Sequence, residues 1–290
     1  MFKYSKPQKI LEIGKTKIGG QPGENPTVLI GSIFYHGHKI LLDEKTGKID
    51  KEKAEKIINL QQEFSDKTGN PHMLDVVVSS KNAIANIFNY IFDATDETIL
   101  IDSGSDEVKF AAIQYARELG LERRIIYNSL TLESKLEEFK TIKESGLESA
   151  VLLAYKSGLI TSINRVNIIE NLLTMAEKAG ITKPLIDTYV MDVPTLSLAC
   201  RSMLDLKRGF GFPCGCGAHN AMSTWVGFKK RMGKQALKPC EVTVNSMPVV
   251  LGADFLLYGP IEDCEYIFPA VCAIDASYKY LYDTKEALKL

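Results

Sequence analysis

No apolar run in this chain approaches the ~20 residues that cross a bilayer. The opening residues, Met1-Phe-Lys-Tyr4, pass into polar sequence without the apolar core of a signal peptide. A cytoplasmic protein is the expectation. Positive charge is not in excess: the formal net charge is −1, which argues against a dedicated nucleic-acid binder. Lys207, Arg208, Lys229, Lys230, Arg231, Lys234 and Lys238 do fall in one third of the chain, and they read first as a solvated helix face. No Gly-x-Gly-x-x-Gly follows the first apolar run, which weakens an open dinucleotide-binding sheet. Repeats, low-complexity tracts and linkers are also missing, so residues 1–290 read as one domain. Cysteine is absent until Cys200. The six cysteines bunch in the C-terminal third and do not resemble a disulfide framework; in the cytoplasm they would be reduced.

What is present is an alternation. Short β-branched runs fall at Thr27–Phe34, Met73–Ser79, Thr98–Ser103, Arg124–Ser129, Ser149–Tyr155, Pro184–Val190, Gly209–Cys214 and Phe255–Tyr258. Helical stretches follow near Lys51–Lys67, Asn82–Phe92, Asp106–Leu119, Leu132–Glu144, Arg165–Ala179, Thr195–Leu206 and Ala221–Gln235, with a last one from Asp263 to Ala287. Asp50 and Thr131 are expected N-caps, and Gly120, Gly146 and Gly180 expected C-terminal glycines. The interval Lys238–Gly252 is long enough for an extra helix. Strand-then-helix repeated to this length predicts an α/β protein with the closed parallel (β/α)8 TIM barrel architecture, with an open doubly wound sheet as runner-up.

A barrel of this kind carries its site at the C-terminal ends of the strands. There the sequence places Asp75 on the second strand, Asp102-Ser103 after the third, Asn128 after the fourth and Asp187 after the sixth. The seventh leads to Cys214-Gly-Cys-Gly217-Ala-His219-Asn220, and the first to His36 and His38. A lone Asp after an apolar run is most often a helix cap. Three carboxylate or amide groups at equivalent points of one rim are harder to explain so. They suit a flat heterocycle rich in N–H donors, because a carboxylate accepts two parallel N–H bonds and an amide both gives and receives.

Three segments carry a resemblance: Gly19 to His38, Lys67-Thr-Gly-Asn-Pro-His-Met73, and Gly215-Cys-Gly-Ala-His-Asn220. They closely resemble the H-subunit family of tetrahydromethanopterin S-methyltransferase, which includes bacterial relatives of the glycine-betaine-linked type acting on tetrahydrofolate with a corrinoid protein. The similarity spans nearly the whole chain. It implies a barrel with a reduced pterin in its mouth, a corrinoid carried by a partner protein, and a homodimer. It implies ring binding by Asp102, Ser103, Asn128 and Asp187, with Asp75 and Gly217 beside them. An Asn in the loop after strand seven would face nitrogen-5; Asn220 is the candidate and His219 the alternative. His36 and His38 are candidates for pocket or partner contact. Tetrahydrofolate is the preferred pterin, with tetrahydromethanopterin and an H-subunit role in that methyltransferase complex as the alternative. Methyl transfer at nitrogen-5 requires positioning and charge stabilisation from the protein, not a covalent intermediate.

Two rivals are open. Cys214-x-Cys216-x-x-His219, with Cys200 or Cys240, has zinc-ligand types and would suit a thiol methyltransferase, although small buried cysteines at a strand-to-loop turn explain the same letters. A non-catalytic scaffold that docks a corrinoid protein is the other.

Overall fold

Strands buried on both faces need apolar side chains on both faces, and the runs of this chain supply them. In the computed structural model, which describes residues 1–290, they form β1 (Val28–Ile33), β2 (His72–Val77), β3 (Ile99–Asp102), β4 (Ile125–Leu130), β5 (Ser149–Leu153), β6 (Lys183–Asp187), β7 (Cys214–Cys216) and β8 (Phe255–Pro260). Each pairs in parallel with its neighbours in chain order and β8 pairs with β1, closing an eight-stranded barrel. The expected fold is the observed one.

The helices are α1 (Lys51–Thr68), α2 (Ile84–Ala94), α3 (Asp106–Glu118), α4 (Leu136–Ser145), α5 (Ser162–Lys178), α6 (Val193–Gly209), α7 (Leu237–Val250) and α8 (Cys264–Thr284). No helix is long and apolar enough to cross a membrane. Outward strand residues such as Ile101, Leu152 and Ile186 pack under the helices. Inward residues, among them Ile30, Met73, Leu100, Ile126, Val151, Leu185 and Phe255, fill the barrel. A hairpin of Ile10–Ile13 and Thr16–Gly19 closes the N-terminal end, driving Ile13 and Ile18 into that same cluster. Nothing in the strand–helix alternation announces this plug. It leaves the opposite end as the only open mouth of the barrel interior.

Several expectations need correction. Asp50 caps α1 as expected, its carboxylate accepting from the Lys53 N–H. Thr131 does not cap α4; it closes a turn with Ser134, and the helix begins after Lys135. Gly209–Cys214 is not the seventh strand. Gly209 ends α6, Gly211 takes a left-handed φ of 70°, and the strand starts only after Pro213. The single helix expected over Ala221–Gln235 is broken into the turns Asn220–Ser223 and Phe228–Met232 around Gly227, while the ambiguous interval does hold a helix, α7.

Lys207 is also not on a solvated face. It is buried, and its ammonium donates to both Asp254 carboxylate oxygens (2.6 Å each) and to the Gly252 carbonyl (3.0 Å). Asp254 in turn accepts the Cys214 N–H (2.8 Å), and its own N–H donates to the Cys214 carbonyl (2.7 Å). This pair pins the start of β7, the shortest barrel strand. Beside it Gly215 is obligatory, because a Cβ there would stand 2.1 Å from the Phe255 carbonyl oxygen. Truncating Lys207 to Ala should destabilise the fold by about 3–5 kcal/mol at neutral pH, as expected when a buried carboxylate loses its cation. Burial already holds Asp254 above the usual carboxylate range. The loss should therefore shrink in urea melts at pH 5, where the orphaned carboxyl takes a proton; an unchanged melt at pH 7 would refute the assignment.

Candidate active site

Side chains on a strand alternate faces, so every second residue looks into the barrel. Ascending β1 these are Val28, Ile30 and Ser32; on β2, Met73, Asp75 and Val77; on β3 and β4, Leu100 then Asp102, and Ile126 then Asn128; on β6, Leu185 then Asp187. Each stripe begins apolar and turns polar near its C-terminal end. The register keeps the polar positions close: Ser32 is level with Asp75, Asp102 with Asn128, and Leu153 with Asp187. Together with Gly217, His219 and Asn220 they line a cavity of about 550 Å3 at the open mouth. That volume lies within the ~300–1,000 Å3 typical of small-molecule sites.

Three carboxylates share this cavity, and each is relieved differently. Asp75 accepts from the Ser32 hydroxyl (2.8 Å) and the Asn128 amide (3.1 Å), but no cation reaches it. Burial first, and then the negative charge of Asp102, raises its pKa to about 7. Asp187 accepts the Tyr189 N–H (2.7 Å); burial raises it to about 6 against that bond and the nearby Arg165. Burial also raises Asp102, opposed by Lys109 and the Ser103 N–H. Both cations are buried and stand behind the cavity wall. Lys109 lies 3.6 Å from Glu138 and 4.0 Å from Asp106. Arg165 donates to the Thr188 and Tyr189 carbonyls (2.7 Å each), which fixes the turn carrying Asp187.

The rim holds two strained residues. Phe34 and Tyr189 have left-handed φ values of 62° and 59°, rare for aromatic side chains and common where a loop is held for function. The Phe34 N–H donates to His38 Nδ1 (2.9 Å), which leaves Nε2 to donate to Glu262 (2.8 Å). Its face stacks on Tyr35 at 4.4 Å, and Tyr35 lines the cavity. On the β7 side the Leu257 carbonyl accepts from His219 Nδ1 (3.0 Å), which makes Nδ1 the protonated nitrogen. Burial lowers the His219 pKa, so the ring is neutral. Gly259, at φ 97°, makes room for it: a Cβ would sit 2.9 Å from the ring. Asn220 opens the turn after Gly217 with its side-chain amide unbonded within the chain and facing the cavity.

Of the candidates from sequence, Asp75, Asp102, Asn128, Asp187, Gly217, His219 and Asn220 come together around the cavity. Ser103, His36 and His38 do not line it. Ser103 follows Asp102 and so faces the other way, its hydroxyl accepting the Ser105 N–H (3.3 Å). His36 is exposed beside Glu44 (3.0 Å), away from the cavity, and His38 acts at one remove through Tyr35 and Glu262. The zinc-like cysteines diverge from His219. Cys214 packs outward with Ile186 and Leu206, and Cys216 with Ala199 and Cys200. No group of three or more His, Cys, Asp or Glu side chains is placed to hold a metal. Sequence reasoning missed Ser32, Tyr35, Tyr189 and Gly259, which also line the cavity. Ser32 was accessible by counting alternate positions from Val28; Tyr189 depends on a loop conformation, and Gly259 on a register shift within β8.

Comparison with known proteins bears on the family and the fold. The family model of the tetrahydromethanopterin S-methyltransferase MtrH subunit matches residues 6–287. The H subunit of that enzyme from Methanothermobacter thermautotrophicus is 40% identical, over 95% of this chain and 92% of its own. The H subunit of a putative mtx methyltransferase from Methanosarcina mazei is 35% identical with the same coverages. Among solved structures, Yersinia pestis dihydropteroate synthase with a pterine-sulfa conjugate aligns with a TM-score of 0.65 at 14% identity, covering 94% of this chain and 99% of that one. At that identity the likeness speaks for the barrel alone. The matching family model and the extent of these relatives place the chain in the MtrH family, the methyltransferase family named for the H subunit of tetrahydromethanopterin S-methyltransferase.

Proposed function

We propose that this chain binds a reduced pterin in the barrel mouth and transfers a methyl group between its nitrogen-5 and a corrinoid held by a partner protein. The observation that carries the reading is the ring of Asp102, Asn128, Asp187 and Asn220, whose hydrogen-bonding capacity is largely unspent inside the chain and converges on one cavity. An aminopyrimidine edge presents parallel N–H donors, which a carboxylate such as Asp187 accepts in pairs. Asn128 already gives its amide hydrogen to Asp75, so its carbonyl oxygen is free for a ring N–H. The matching family and the Methanothermobacter relative are named for tetrahydromethanopterin, and we take it as the substrate in preference to the tetrahydrofolate favoured from sequence. The cysteines' outward packing gives the thiol-activating zinc reading no support.

A corrinoid on the partner supplies the cobalt centre that accepts or gives the methyl group. The chain's own residues hold the pterin flat and stabilise charge at nitrogen-5. Asn220 suits the second of these roles, because its amide is unbonded and can donate without surrendering a full proton. His219 is less suited, since its only N–H is committed to the Leu257 carbonyl. Asp75, poised to titrate near neutrality, can carry a proton next to the ring-binding amide of Asn128.

Calorimetric titration with tetrahydromethanopterin and tetrahydrofolate, beside methyl transfer assayed with methylcobalamin, tests the reading; absence of binding by either pterin rejects it. Asp187→Ala should weaken pterin binding by about 2–3 kcal/mol, the loss typical of a charged hydrogen-bond partner. Asn220→Ala should lower kcat about a hundredfold, as removal of a transition-state donor does, with a much smaller change in KM. An unaffected kcat would pass the role to His219. The pH dependence has a definite sign. A carboxyl whose folded pKa lies above its unfolded value weakens the fold as pH rises through the folded value. Asp75→Asn should therefore gain thermal stability relative to the unsubstituted protein on going from pH 5 to pH 8, and a difference in Tm that stays constant over that range would show that Asp75 does not titrate there.

A further inference from the structure

A second cavity, of about 540 Å3, lies beside the first under the loop that follows β7. The two share His219, Ser223 and Pro260, which form the wall between them, and exposed Ser223 marks the rim over which a ligand would pass from one to the other. Its lining is apolar on one side and charged on the other, where Glu241 and Asp263 stand with Lys229 and Lys230. Met222, Trp225, Phe228 and Leu237 make an apolar wall, with the Trp225 and Phe228 rings edge to face at 5.0 Å. Lys229 and Lys230 stand exposed at its edge and have no acidic partner, whereas Lys238 is committed to Glu241 (2.9 Å) and Asp263. Those two acids are thus partly neutralised, and with Arg231 and Lys234 on the same loop the local charge is positive. Neither the ring site nor the chemistry at nitrogen-5 uses this chamber.

We propose that it receives the tail of the pterin substrate, an aryl group against Trp225 and Phe228 and the anionic end at Lys229 and Lys230. The inference rests on the ring-binding reading above. Tetrahydropterin coenzymes bear, beyond the ring, an aryl amine and then acidic groups: carboxylates in tetrahydrofolate, phosphate and carboxylates in tetrahydromethanopterin. The order of chemistry along the two chambers is the same, first donor-accepting, then aromatic, then cationic. Discrimination between the two coenzymes would then be made here and not at the ring they share.

The test compares tetrahydromethanopterin, tetrahydrofolate and tail-less 6-methyltetrahydropterin by calorimetry on the full chain. Lys229→Gln with Lys230→Gln, both exposed and safe for folding, should weaken the tailed pterins about five- to tenfold, the effect of two surface ion pairs. Raising the salt should narrow that gap. Trp225→Ala should weaken the tailed pterins as well, and neither variant should change affinity for the tail-less ring. Unaltered affinity for both tailed pterins, or an equal loss for the tail-less one, overturns the tail chamber while leaving the ring site standing. Failure of the unsubstituted protein to bind any of the three pterins overturns both.

Discussion

Crowding of carboxylates governs the open end of this barrel. Asp75, Asp102 and Asp187 project into one partly dry space, where like charges cannot all be held without compensation. The chain compensates each by a separate means. Lys109, buried between Asp106 and Glu138, offsets Asp102. Arg165 offsets Asp187 from behind the β6 turn. Asp75 has only the neutral Ser32 and Asn128 as donors, and relief there must come from a proton. A donor-rich heterocycle would complete what the fold leaves unfinished. The site is in this sense a set of acceptors held against their electrostatic preference, with the apolar plug of the hairpin and the pinned β7 supplying the rigidity that keeps them there.

The barrel was legible because its two periodicities are written plainly. Strand runs and helical stretches alternate, and the polar residue at the end of each inward stripe lies a fixed two steps beyond an apolar one. That is why Asp102, Asn128 and Asp187 can be grouped from sequence alone. The same rule, applied strictly, rejects Ser103, which follows Asp102 and must face outward, and adds Ser32. The β7 region resisted reading because Gly209-Phe-Gly-Phe has strand composition but lies between a helix end and a proline. What replaces pattern there is a tertiary contact, the Lys207–Asp254 pair, which no local periodicity records. His36 and His38 show the same limit: two residues apart in sequence, one is solvated and the other braces Tyr35 through stacking and through Glu262.

Loop conformation also shapes the site. Tyr189 reaches the cavity only because Arg165 and Asp187 hold its backbone left-handed, the cation from the carbonyl side and the carboxylate from the N–H side. The two interactions share one turn. Loss of either would release the other, so Arg165 is tied to the shape of the cavity although it does not line it.

Under the proposed function, an amide at position 220 suits its surroundings. A carboxylic acid at position 220 would join three carboxylates already competing for protons, and its protonation would vary with theirs. An imidazolium would be penalised by the same burial that keeps His219 neutral. An amide carries no charge to lose. It donates equally well whatever the proton count of Asp75, so a hydrogen bond from Asn220 to a ligand would be decoupled from that titration. Asp75 can then change its charge without altering what Asn220 offers, so in the proposed reaction the two parts of the mouth would divide the work, one adjusting charge and the other holding geometry.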